Sequence, residues 1–125
     1  RVVMLAPPNG GSEWADLLFR LRMNGVVLGP VGNHLRTDRH AADEAMLGSI
    51  DFDLGVIAGN AAIDPIFPKL VLPRPNDGKV SVRSTHVEGL ADHITLPVSH
   101  TFMVTNPGVA RQVLHFIRMG RFDHR

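Results

Sequence analysis

The chain alternates short uninterrupted apolar runs with stretches whose apolar residues recur at helical spacing. Val2-Val3-Met4-Leu5 is closed by Pro7-Pro8-Asn9-Gly10-Gly11. A β-branched run of this length, ended by Pro and Gly, predicts a buried strand over residues 1–6 that enters a loop. From Glu13 to Met23, Trp14, Leu17, Leu18 and Leu21 follow helical spacing, with Ser12 placed to cap the start and Asn24-Gly25 to end it. Residues 25–40 are rich in Gly and polar side chains and predict loop, while Ala41 to Gly48 suits a short helix. Asp51 to Ala58, with Phe52, Leu54, Val56 and Ile57, predicts a second strand closed by Gly59-Asn60.

Farther along, Pro65 to Leu72 is apolar but interrupted by Pro68, which allows only a helical turn. Pro73-Arg74-Pro75-Asn76-Asp77-Gly78 is a loop, because Pro fixes φ and Asn, Asp and Gly favour turns. Lys79 to Thr85 suits either a short extended segment or a helical turn. Ile94, Leu96 and Val98 alternate within Asp92 to Val98 and predict a third strand. Asn106 caps a final helix with Pro107 at its favoured first position, an apolar stripe of Val109, Val113, Phe116 and Ile117, and Gly120 as its stop.

Strands alternating with helices predict the α/β class: a single domain over residues 1–125 built on a partial, doubly wound parallel sheet of about three strands with flanking helices. Three strands make a narrow sheet. Parallel sheets are normally covered on both faces, and an open edge strand invites pairing. The chain opens directly on an apolar strand, so its edge is expected to be covered by a complementing upstream segment or by another chain, a second copy included.

Composition narrows the function classes. With 44% apolar residues in 125, the chain has the makings of a folded core. The formal charge is +1, which supplies no clustered basic footprint for nucleic acid. There is no cysteine, which excludes disulfides, thiolate metal sites and cysteine nucleophiles. No apolar run approaches the roughly 20 residues of a membrane-spanning helix.

Two loops carry candidate chemistry, one holding Asp77 and one His100. Each follows an apolar segment, and open α/β sheets bind ligands beyond the carboxyl ends of their strands. Histidine titrates near neutral pH and suits a general base, which needs a carboxylate to fix its tautomer and stabilise the imidazolium. Asp77 before His100 gives the second and third members of the order Ser…Asp…His. Taken alone, Asp77 reads more readily as the residue of an Asp-Gly turn than as a triad acid, and the plain alternative for His100 is a loop histidine bonded to backbone.

The motifs in order resemble a known family. Leu5-Ala6-Pro7-Pro8-Asn9-Gly10-Gly11-Ser12 resembles the strand-to-loop segment that follows the nucleophile helix in bacterial lipases and related esterases, with Asn9 standing where that pattern has histidine. Asn76-Asp77-Gly78-Lys79-Val80-Ser81-Val82 resembles the family's acid loop, and Ser99-His100-Thr101 its histidine loop. The resemblance implies the C-terminal half of a serine α/β-hydrolase fold. It also implies Asp77 as triad acid, His100 as general base, and a small-molecule or lipid ester as substrate.

One departure outweighs the matches. The family's nucleophile sits in Gly-x-Ser-x-Gly on a sharp strand-to-helix turn, and no such pentapeptide occurs here. Both oxyanion-hole amides lie on the absent segments as well. The expectation is therefore a half-domain that supplies acid and histidine, is inactive alone, and takes its serine from upstream or from another chain. The alternative is a non-catalytic α/β binding or oligomerisation module.

Ser12 suits a helix cap better than a surrogate nucleophile, and Ser81 and Ser99 read as loop-stabilising hydroxyls. His86, Asp92, His93 and His100 match no compact zinc spacing, and no carboxylate follows His100 closely enough to carry over the structural calcium of some family members. No metal or other cofactor is expected. Phe102 and Met103 are core residues or line a pocket beside His100.

Overall fold

Three strands form the described sheet: β1 (Val2–Leu5), β2 (Leu54–Gly59) and β3 (Asp92–Leu96). All are parallel, in the order β1-β2-β3, with Val2 opposite Leu54, Leu5 opposite Ile57, Gly55 opposite Asp92 and Gly59 opposite Leu96. The central strand Leu-Gly-Val-Ile-Ala-Gly is buried at every position, as expected where a parallel sheet is covered on both faces. The computed structural model describes residues 1–11, 16, 19–20, 50–62 and 72–125. Most of the helix read over 13–23 with its Ser12 cap, the loop at 25–40, the short helix at 41–48 and most of the turn near Pro68 lie outside the described residues.

The sheet matches the three predicted strands with small shifts at their ends. β2 begins only at Leu54, since Asp51, Phe52 and Asp53 are exposed, and it runs one residue further, through Gly59. β3 stops at Leu96 because Pro97 has no N–H for a ladder.

Helix α1 (Pro107–Met119) starts and stops where its caps predict. The Asn106 side-chain oxygen accepts from the Gly108 and Val109 amides at 2.8 and 3.2 Å, and Gly120 ends the helix in the left-handed conformation at φ 75°. Its inward stripe is narrower than predicted. Val109 and Phe116 are buried and Val113 is partly buried, but Ile117, one residue and 100° of rotation beyond Phe116, is 45% exposed.

The core joins Ala6, Ile57, Ile94, Val98, Met103, Val109, Phe116 and Phe122. The Phe116 and Phe122 rings lie 4.9 Å apart in a tilted pair. Gly55 makes this close approach possible, because a Cβ there would stand 2.6 Å from the Phe116 ring and 2.8 Å from that of Phe122.

Two clamps hold the helix to the sheet. Arg1 donates to the Ile117 and Arg118 carbonyls at 3.0 and 2.8 Å, which helix geometry leaves without intrahelical partners, and pairs with Asp53 at 3.1 Å. Beyond the helix, the Phe122 amide donates to Asp92 at 2.7 Å, and the Gln112 side chain brackets the backbone of Asp123.

Candidate functional site

The loops that follow β2 and β3 converge at the carboxyl end of the sheet, where this architecture places ligand sites. The first is tightened by its own side chains. Asn76 donates to the Pro73 carbonyl at 3.2 Å and accepts from the Gly78 amide at 3.1 Å, and it also pairs across the turn with Ser81 in an antiparallel bridge. The Asp77 amide donates to the Val80 carbonyl, and that of Val82 to the Pro75 carbonyl. Lys79 to Thr85, left open between extended and helical by the sequence, is both: the bridge at Ser81 runs into a 3-10 turn over Arg83–Thr85.

This turn fixes a carboxylate whose side chain is wholly buried. Asp77 Oδ1 accepts from the Lys79 and Val80 amides at 3.0 and 2.8 Å. Its Oδ2 lies 2.9 Å from His100 Nδ1. The backbones are joined as well, because the His100 amide donates to the Asp77 carbonyl at 3.0 Å.

The proton placement follows from the inventory of donors. A carboxylate only accepts, so the proton of the neutral imidazole sits on Nδ1, and Nε2 presents its lone pair. Nε2 meets no hydrogen-bond partner among the described residues, and the His100 side chain is 35% exposed. A buried, doubly anchored carboxylate behind a half-open imidazole can orient a base and stabilise the charge it acquires.

Sequence reasoning passes over Gly59, which makes the convergence possible. A Cβ there would run into the Val98 carbonyl and stand 2.8 Å from Asp77 Cβ and 3.0 Å from Met103 Cε. The signal was present, since a glycine closing an otherwise apolar strand marks a close backbone approach. Met103 is buried in the core, not in a pocket wall, and Phe102 is exposed beside it.

The loop serines divide. Ser81 bonds Ser84 Oγ at 2.7 Å and accepts from its amide at 3.3 Å, which fits a loop-stabilising hydroxyl. Ser99 does not fit that role. It is buried and its hydroxyl has no hydrogen-bond partner among the described residues.

The other described histidines sit elsewhere and do not converge with His100. The His86 and His93 rings stack at 4.0 Å, and His93 Nε2 lies 2.9 Å from the Thr85 hydroxyl, which itself donates to the Val82 carbonyl. Burial pushes the His93 imidazole below its ordinary 6.5, the neighbouring His86 adds to this, and Asp92 only partly opposes it. Asp92 pairs with His124 at 3.0 Å. An open depression of about 410 Å³ beside β3, lined by His93, Leu96, Gln112, His124 and Arg125 among others, contains neither Asp77 nor His100.

No family model and no curated protein matches the sequence. Among solved structures the chain is similar to a lipase of Bacillus licheniformis in its mature form, with a TM-score of 0.67 at 16% identity over 96% of this chain. The match covers 54% of the lipase, so the chain spans about half the length of that structure. The likeness is one of fold: a three-stranded parallel sheet with its helix matches part of an α/β-hydrolase.

Proposed function

We propose that the chain is the acid-and-histidine half of a carboxylic ester hydrolase. Asp77 is the triad acid and His100 the general base, and the nucleophilic serine stands on a segment outside these 125 residues. The observation that carries the reading is the 2.9 Å contact between a wholly buried Asp77 carboxylate and His100 Nδ1. It leaves Nε2 free to take a serine proton during attack on the ester carbonyl and to return it to the leaving alcohol. The likeness in fold to a lipase supports the same class. The complementing segment pairs with the edge of β1 away from β2, which is its neighbour among the described residues.

The test is complementation. A segment carrying Gly-x-Ser-x-Gly, encoded immediately upstream of Arg1 or on an accompanying chain, is co-expressed with this one, and hydrolysis of p-nitrophenyl butyrate is followed. The expected result is activity that needs both parts and disappears in His100→Ala. Hydrolysis that survives His100→Ala overturns the proposal, as does the absence of any such segment.

A further inference from the structure

From His93 to Phe122 the chain contains no Asp or Glu, while it carries Arg111, Arg118 and, just past the helix, Arg121. All three arginines are exposed, and none is paired with a carboxylate among the described residues. On α1 the exposed Ala110, Leu114 and Ile117 form a strip one to two turns long, with Leu114 55% and Ile117 45% accessible. Helical rotation of 100° per residue sets Arg111 and Arg118 directly beside that strip, on the face opposite the buried Val109 and Phe116. At the amino end of the helix the same acid-free stretch adds Phe102 and Val104, 59% and 76% exposed.

We propose that this outer face of α1 docks on the surface of an anionic lipid bilayer. Large aliphatic side chains flanked by arginines on one face of a helix are the pattern of a segment lying in the plane of the membrane interface. There the apolar strip sits at the acyl boundary and the guanidinium groups reach the phosphates, which they bind bidentately. The charge distribution selects this occupant over a second copy of the chain, because a two-fold pairing through the face would bring the arginines of one copy beside those of the other, with no carboxylate in this stretch to offset them. The exposed aliphatic strip is equally out of place against a nucleic acid, where phosphate contacts dominate. Docking requires neither Asp77 nor His100, so it stands apart from the hydrolase reading.

The experiment is co-sedimentation of the 125-residue chain with large vesicles of equimolar phosphatidylglycerol and phosphatidylcholine, against vesicles of phosphatidylcholine alone. The chain is expected to sediment with the anionic vesicles and to be released as salt is raised. Each arginine near such a surface strengthens partitioning by about fivefold, so Arg111→Gln with Arg118→Gln should weaken binding about 25-fold. Leu114→Ser with Ile117→Ser should weaken it at least tenfold, on the order expected for withdrawing two apolar side chains from water-free contact. The arginine pair leaves every apolar position intact and decides the matter if the serine variant loses helical circular dichroism. No sedimentation of the unaltered chain overturns the proposal, as does binding indifferent to the arginine pair. A dimer in light scattering that Leu114→Ser with Ile117→Ser dissolves overturns it too.

Discussion

The two oxygens of Asp77 have separate partners, and this makes the residue more than a counterion. Oδ1 closes its own loop through the Lys79 and Val80 amides, and Oδ2 reaches His100. In Asp77→Asn the amide oxygen can keep the loop bonds, but its NH₂ then faces Nδ1 and demands an acceptor there. The imidazole must move its proton to Nε2, and a base with that nitrogen occupied cannot take a proton from serine. On the proposed function, the complemented enzyme should therefore lose about 10⁴-fold in kcat, the scale seen when a triad carboxylate is replaced in this way, with KM little changed. A kcat within tenfold of the unaltered enzyme would remove Asp77 from the mechanism. Beside this pair, Ser99 buries a hydroxyl that has no partner among the described residues, so Ser99→Ala removes an unmet desolvation cost. Equilibrium urea unfolding should show it neutral or more stable by about 1 kcal/mol, where a buried serine that made its bond would lose a similar amount.

Elements bring these residues together, and here sequence and structure part in an instructive way. The three strands and α1 were legible because their signals are local: apolar runs bounded by Pro and Gly, an Asn-Pro start and a Gly stop. That Asp77 and His100 meet was expected for another reason, since each sits in a loop just beyond an apolar segment and the proposed triad needs both residue types in that order. What sequence could not supply is distance between elements. The Ile117 side chain fits the apolar stripe by spacing, yet it stands 100° of rotation beyond the buried Phe116 and is 45% exposed. Met103 and Phe102 are neighbours of like character, and only tertiary packing buries one and exposes the other. Gly59 is the clearest case: a glycine closing an apolar strand signals a close approach, but nothing local says that the Val98 carbonyl and Asp77 are what approaches. Gly59→Ala should destabilise the fold by about 1–3 kcal/mol, as overpacking does, and push Asp77 away from His100. Unfolding in urea measures the first effect. Loss of the protected His100 Nδ1 proton in the NMR spectrum reports the second, and its persistence would show that the loops close without the glycine.

Across the molecule, β3 and the carboxyl-terminal residues are tied by ionisable groups whose protonation is linked to folding. His93 stacks on His86 and is pushed below 6.5 chiefly by burial, so the unfolded chain binds this proton more readily than the folded one. Stability contributed by the neutral ring is present above about 6.5 and declines as pH falls through that value toward the lower folded pKa. Asp92 is shifted in the same direction but for a different reason. Burial alone would raise its carboxyl, but the Phe122 amide, the His124 ring and the His93 amide outweigh burial and hold it below 3.8. Its contribution is present above 3.8 and is lost as pH falls through the folded value. Acidification should therefore lower Tm in two separate limbs, one beginning below about 6.5 and one below 3.8. His93→Gln should flatten the first limb and leave the second. Asp92→Asn should flatten the second and also lower Tm at neutral pH, because the Phe122 amide loses its charged acceptor and the ring it positions against Phe116 is less firmly held. Differential scanning calorimetry from pH 8 to 3 on the three proteins separates the limbs. An upper limb unchanged in His93→Gln would move the linkage from the stacked pair to another histidine of the chain.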